Sequence, residues 1–301
     1  MMAIGELTIQ QFFAGLFGHT DLEHDPMSAG RQMGGHFATH SLNEDGSWKN
    51  LTLQKNSSAD ISPTAGQMPR LLGLAQASKI YRNVSGIHNK TNFSINGNEI
   101  AWGTIGNAST SEGLFFETIN AAGVLQVPMV MSVWDDEYGI SVHAKHQTTK
   151  ENISEILKGF QRDENAKGYE IIRVKGWDYP GLIEAYQKAA AIAREEHVPV
   201  LIHVNELTQP QGHSTSGSHE RYKNADRLKW EGEFDCVRQM KLWMMALDIA
   251  TQEELDEMEA TAKKEVLQGK KAAWEAFVSP TKTEQTEVLT LLNEVAEASA
   301  N

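Results

Sequence analysis

The chain is poor in cysteine, in cationic charge and in long apolar runs. Its single cysteine, Cys236, cannot form an internal disulfide and fits a reducing compartment. Lysine and arginine number 27 against 40 acidic residues, a formal net charge of -13. A surface of that sign repels a phosphate backbone, which argues against general nucleic-acid binding but leaves room for a local pocket around one small anion. The apolar run at residues 12–17 has no basic start, follows Glu6 and is too short to span a bilayer. Also missing is a Gly-x-Gly-x-x-Gly after an early strand with an acidic residue about 20 positions on, which disfavours a nicotinamide-dependent enzyme. These absences predict a soluble cytoplasmic protein with no membrane and no nucleic-acid partner.

The 301 residues are 40% hydrophobic and 22% charged, ordinary globular values. That length suits one large α/β domain or two small ones. Apolar spacing predicts a helix over residues 7–17, with Thr8 as N-cap. A loop rich in Gly, His and Asp follows to about residue 35. A turn through Ser62, Pro63, Thr64 and Gly66 leads into a helix over 67–81. Pattern alone leaves this open between a plain junction and a rim whose backbone meets a ligand. Strands are predicted at 99–105, 127–133, 170–174 and 198–205, and helices at 112–124, 149–160 and 178–196. Asp178 reads as an N-cap and Pro180 as a first-turn proline. Ser109, three residues before Glu112, predicts a capping box. The alternation of strand and helix predicts an α/β fold with a mainly parallel sheet flanked by helices. Helices are expected at 252–277 and 283–298. The domain division expected is 1–278, with 279–301 a C-terminal helix or linker.

Residues 99–141 organise the rest. A Gly/Ser/Thr-rich turn at Gly106 to Gly113 lies at a helix start, where free N–H groups and the helix dipole suit a phosphate. Asn107 and Asp136 each follow a predicted strand, so two oxygen-bearing side chains would stand at neighbouring parallel strand ends. Such a pair, with the carbonyl of Tyr138, can share a Mg²⁺ ion, which takes few protein oxygens plus substrate phosphates. Equally, Asp-Asp-Glu after a strand is often a solvated loop. The Gly/Ser/His-rich loop at 209–223 would hang from the same sheet edge.

The segments GNASTSEG (106–113) and WDDEYGIS (134–141) resemble the thiamine-diphosphate motif of the alpha subunit in the decarboxylating component of 2-oxoacid dehydrogenase complexes. GRQM at 30–33, ISPTAGQMP at 61–69, Gly176-Trp177-Asp178 and GHSTS at 212–216 match the same family in order, across most of residues 1–245. The resemblance implies a thiamine-diphosphate-binding fold, the diphosphate-type domain being residues 1–278. It implies Mg²⁺ bound by Asn107, Asp136 and the Tyr138 carbonyl, and a diphosphate met by Gly106, Ala108 and Ser109. It places Ser62 and Thr64 along the aminopyrimidine, Ile140 near the cofactor, and His213 as the catalytic residue reaching the diphosphate and reacting centre. A K⁺ site at the 61–67 turn, present in some relatives, is put in doubt by Gly66. It further implies oxidative decarboxylation of a 2-oxoacid, branched-chain favoured over pyruvate, with acyl transfer to a lipoyl-bearing acyltransferase component. The partner would be a beta subunit, separate or fused, in a heterotetramer, and that subunit would bring the activating glutamate. Three departures stand out. The family's Asp is Asn107 and its metal-binding Asn is Asp136, an exchange that keeps one carboxylate and one amide. Ala108 replaces a glycine, which requires a negative φ there. The chain also begins beyond the family's Tyr-Arg pair, so a shortened alpha subunit is expected. The alternative is a non-catalytic subunit that binds metal or partner without turnover.

Overall fold

The computed structural model describes residues 2, 5–31, 39–54, 63–87, 90, 92–213 and 217–299. The helices are α1 (Ile9–Phe17), α2 (Met68–Asn83), α3 (Gly113–Leu125), α4 (Ile153–Ile156), α5 (Tyr179–Glu196), α6 (Ala225–Glu233), α7 (Cys236–Ala246) and α8 (Gln252–Ser299). The strands are β1 (Ala101–Gly106), β2 (Met129–Trp134), β3 (Tyr138–Gly139), β4 (Val142–His143), β5 (Glu170–Lys175) and β6 (Val200–Asn205). The chain divides into two compact units, Met1–Asp60 with Thr251–Asn301, and Ile61–Ala250. The expected boundary at 278/279 falls inside α8.

The unit Ile61–Ala250 is built on a four-stranded sheet in the order β1-β2-β6-β5, every pairing parallel. This is the α/β architecture the alternation predicts. Parallel neighbours need crossovers, and α3 carries the chain from β1 to β2 as α5 does from β5 to β6. Alternate residues of β2 and β6 face opposite layers. Met129, Met131, Val133 and Leu201 pack with Phe115 and Ile119 of α3, Met68 and Leu71 of α2, and Ile153. Val130, Val200, Ile202 and Val204 pack with Ala185, Ala189 and Ile192 of α5. The apolar run of β6 is thus covered on both faces, as a central parallel strand requires. Each fully buried side chain of this size contributes about 1.5–3 kcal/mol.

Strand order also sets where the tips converge. The chain steps from β1 to β2 in one direction across the sheet and from β5 to β6 in the other. The order therefore reverses between β2 and β6, and a crevice forms outside the carboxyl ends at such a switch point.

In the other unit, α1 keeps its predicted N-cap. Thr8 accepts from the Gln11 N–H, and the Gln11 side chain returns to the Thr8 N–H in a full capping box. Phe17 of α1 packs edge-on to Trp274 of α8, their centroids 5.3 Å apart.

Three local expectations are corrected. Ser109 and Glu112 form no capping box: residues Ala108–Ser111 make a 3-10 turn, and Glu112 is itself the N-cap of α3 without a side-chain cap bond. Its carboxylate reaches across to Thr64 instead. Residues 149–160 are not one helix but a 3-10 turn, α4 and a second 3-10 turn. Asn152 explains the break, since its carboxamide caps α4 by accepting from the Glu155 N–H. Finally, α8 runs unbroken through Pro280, so the two predicted C-terminal helices are one.

Candidate functional site

A cleft of about 730 Å³ opens at the switch point, within the unit Ile61–Ala250. It collects the β1 tip (Gly106, Asn107, Ala108, Ser109), the β2 tip (Trp134, Asp136, Tyr138, Gly139, Ile140) and the β6 loop (Leu207, Thr208, Gln209, His213). Thr64, Glu112 and Gln147 complete its wall. Nine of the ten predicted site residues therefore line one cavity. The tenth, Ser62, lies outside the described residues, as do Ile61 and the rest of the HSTS motif after His213.

The β1 tip is fixed by its backbone. The Asn107 N–H donates to Trp134 O at 3.0 Å, continuing the β1–β2 ladder one step. The Asn107 carbonyl accepts from the Thr110 N–H at 3.2 Å and hydroxyl at 2.6 Å. Asn107 is only 6% exposed, and its side chain makes no hydrogen bond to another described residue. Ala108 has negative φ, as its place in the motif requires. The short turn Ala108–Ser111 has no side-chain cap, so its first N–H groups, on Ala108 and Ser109, have no intrahelical acceptor. Gly139 closes against this turn, where a Cβ would come within 2.5 Å of Ala108 Cβ.

The β2 tip is braced from below and from the side. Asp135 is buried and accepts from His203 Nε2 at 2.8 Å, while His203 Nδ1 meets Ser154 Oγ at 2.9 Å. Asp135 Oδ1 also accepts from the Glu137 N–H at 2.8 Å. Asp136 Oδ1 accepts from the Tyr138 N–H at 3.1 Å. Burial holds the Asp136 carboxyl above the ordinary carboxylate range. The Tyr138 N–H and the charges of Lys223 and Arg227 oppose that rise, and Asp135 adds to it. Arg227 donates to the Asp136 carbonyl at 2.8 Å, to Glu231 at 2.7 Å and to Glu137. Lys223 forms a buried pair with Glu231 at 2.8 Å and donates to Gln209 O at 3.1 Å, tying the β6 loop to α6. Both cations also face the Tyr138 ring, at 5.2 and 5.4 Å from its centroid.

Residues 138–143 form a two-residue hairpin, with Tyr138 opposite His143 and Gly139 opposite Val142. Such a turn favours a positive φ at its first position. That position is Ile140, at φ +58°, an uncommon conformation for a β-branched residue. Ile140 is 64% exposed and lines the cleft. Gly212, at φ +63°, makes the turn that presents His213, and a Cβ there would stand 2.7 Å from the Tyr222 hydroxyl.

The pattern missed the brace. His203 sits inside an apolar run and reads as core, although a histidine alternating with Ile202 and Val204 was a visible signal. Lys223, Arg227 and Glu231 follow the loop at spacings of four residues, which hints at a helical ion cluster.

Strand-tip N–H groups, the Asn107 amide and the desolvated Asp136 carboxyl thus face one cleft at the edge of a parallel α/β sheet. The family model described as "Dehydrogenase E1 component" matches residues 7–281, and this chain belongs to that family. A 2-oxoisovalerate dehydrogenase subunit alpha 1, mitochondrial, from Arabidopsis thaliana is 28% identical over 89% of this chain and 49% of its own length. A pyruvate dehydrogenase E1 component subunit alpha from Mycoplasma pneumoniae is 29% identical over 61% of this chain and 48% of its own. An Arabidopsis thaliana protein named putative 2-dehydropantoate 2-reductase is 30% identical over 57% of this chain and 46% of its own. The chain thus spans about half the length of these relatives. Among the described residues, no helix is long and apolar enough to cross a membrane.

Proposed function

We propose that this chain is the alpha-subunit part of the decarboxylating component of a 2-oxoacid dehydrogenase, and that its strand-tip cleft binds thiamine diphosphate with Mg²⁺. One observation carries the reading. Asn107 and Asp136 stand at neighbouring strand tips and line one cleft, the first a largely buried residue and the second with a carboxyl that burial disfavours as an anion. A cation held between them relieves the desolvated carboxyl, and an amide, a carboxylate and the Tyr138 carbonyl are the oxygen set that suits Mg²⁺. The exchanged identities keep the ligand charge of the family motif.

The Ala108 and Ser109 N–H groups, with Gly106 beside them, would take the diphosphate oxygens. Thr64 and Ser62 would flank the aminopyrimidine, and Ile140 would press against the cofactor from the hairpin. Thiamine diphosphate, when bound, supplies the electron sink that lets a 2-oxoacid lose CO₂. His213 would contact the diphosphate and carry a proton at its imidazole near the reacting carbon. Arg227 and Lys223 would hold the Asp136 loop and the His213 loop in register. No residue here is given the activating role of the aminopyrimidine; a beta subunit would supply that glutamate in a heterotetramer, and the acyl group would pass to a lipoyl-bearing acyltransferase. A branched-chain 2-oxoacid is the favoured substrate, with pyruvate the alternative. At the 61–67 turn, Gln67 Oε1 is buried without a hydrogen-bond partner, an oxygen suited to K⁺. A cytoplasmic location, supported by the single cysteine, belongs to the same proposal.

The test is a thiamine diphosphate titration of the chain with its beta partner, with and without Mg²⁺. Wild type is expected to bind only with Mg²⁺, and Asp136→Ala to lose that binding. Equal affinity in the variant would sink the site. Metal binding without cofactor binding in wild type would favour a non-catalytic subunit.

A further inference from the structure

Among its described residues, the unit Met1–Asp60 with Thr251–Asn301 has little core of its own. Both hydrophobic clusters lie in the other unit. Among its described residues, the buried hydrophobics are Leu7, Ala14, Leu255 and Ala273. Small units of this kind are often stapled by something other than apolar burial. The loop leaving α1 holds a cluster suited to that role. Ring nitrogens of His19 and His24 and a carboxylate oxygen of Asp21 all lie within 4.8 Å of one another.

The unusual member is His19. It is 8% exposed, and neither of its ring nitrogens has a hydrogen-bond partner. Its Nδ1 lies 3.1 Å from Asp21 Oδ2, but not in hydrogen-bonding geometry. A buried imidazole with both nitrogens unmatched is costly unless something else engages it. The Asp21–His24 contact alone is an ordinary turn: Asp21 Oδ1 accepts from the His24 N–H at 2.8 Å and meets His24 Nδ1 at 2.9 Å. That turn explains two members and leaves the third unexplained. The rings of His19 and His24 stack at 4.0 Å, and the edge of Phe277 shields His19.

The surrounding backbone is already built. Gly18 ends α1 at φ +75°, and the His19 N–H donates to Ala14 O at 3.0 Å. Asp25, itself buried, accepts from the N–H groups of Met27, Ser28 and Gly30 and from the Ser28 hydroxyl. The three side chains are thus held on an ordered loop.

We propose that His19, Asp21 and His24 bind one transition-metal ion of the Zn²⁺ class, which clamps the loop after α1. Two imidazoles and one carboxylate favour such an ion over Mg²⁺ or Ca²⁺. Tetrahedral Zn²⁺ with bonds of about 2.0–2.1 Å sets its ligand atoms on the order of 3.4 Å apart, so the cluster, now within 4.8 Å, must draw together and its two stacked rings must turn their nitrogens towards one point. A fourth position is left for water. The inference is independent of the reading of the strand-tip cleft.

The experiment uses the full chain stripped with a chelator, free of Mg²⁺ and thiamine diphosphate. Zinc chloride is titrated by equilibrium dialysis with elemental analysis, alongside thermal melting and visible absorption with Co²⁺. Wild type is expected to take one Zn²⁺ per chain and melt higher with it. His19→Gln and His24→Gln should each weaken that binding at least about tenfold and lose the Co²⁺ band. Asp136→Ala should keep both. Absence of binding to wild type, equal affinity in the histidine variants, or loss in Asp136→Ala would each overturn the proposal. Should His19→Gln fail to fold, Asp21→Asn, at a half-exposed side chain, decides by the same readouts.

Discussion

Ile140 shows how one residue joins fold and site. Its positive φ comes from the hairpin turn, and its exposure places it at the cleft. Ile140→Gly should relieve strain and stabilise the chain by about 1 kcal/mol, read as a raised melting temperature, while thiamine diphosphate binding weakens. A variant that gains stability and keeps full affinity would remove Ile140 from the site. The Lys223–Glu231 pair is a different case, each side chain only 1% exposed. Glu231→Gln leaves the ammonium buried without its anion and should cost about 3–5 kcal/mol in urea denaturation. A loss below about 1 kcal/mol would mean that water reaches the pair. The two kinds of residue also differ in how far sequence reveals them. Asn107 and Asp136 were readable because each belongs to a local motif. His203, Lys223 and Glu231 were not, because their meaning depends on partners far along the chain or on burial.

At the scale of elements, boundaries were legible where local chemistry decides them. The N-caps at Thr8 and Asp178 both form, and the predicted strands match to within about two residues. Local chemistry misled where a distant group competed for the same atoms. Glu112 had the right spacing for a capping box with Ser109, but it bonds Thr64 and the Ala65 N–H instead. The break expected between residues 277 and 283 is also absent, because α8 continues through Pro280. Proline in a helix interior costs about 3 kcal/mol relative to alanine. The distal half of α8 is exposed at Val288, Leu289, Leu291 and Leu292, so little packing offsets that cost there. Pro280→Ala should therefore increase helicity by far-ultraviolet circular dichroism and raise the melting temperature. An unchanged spectrum would show that the helix already accommodates the kink.

Across the whole molecule, several titratable groups bias stability in one direction. Burial would raise the carboxyls of Asp25, Glu99 and Glu170, but several partners together outweigh it and hold each below its ordinary value. These are the Gly30 and Ser28 donors for Asp25, Ile95 and Ser94 for Glu99, and Lys188 and Arg162 for Glu170. Burial lowers His197, against the opposing bond to Gly97 O. All four bind a proton more tightly when unfolded. Their stabilisation is present above the unfolded values and is lost as pH falls. Urea midpoints should decline gently below about pH 6.5, through His197, and steeply below about pH 4, through the carboxylates. A midpoint constant from pH 7 to 3 would contradict this.

The sequence by itself determined the α/β alternation, the parallel sheet and the two motifs at the strand tips, because each depends on near neighbours in the chain. Tertiary structure alone decided which tips adjoin. The order β1-β2-β6-β5 brings the 106–109 turn, the 134–140 loop and the His213 loop to one switch point. It also decided that Asn107 would be largely buried and Asp136 desolvated at the same cleft, and a desolvated carboxyl is the condition that favours a cation there. Burial and pairing are properties of what surrounds a residue in space, and neighbours along the chain do not specify them.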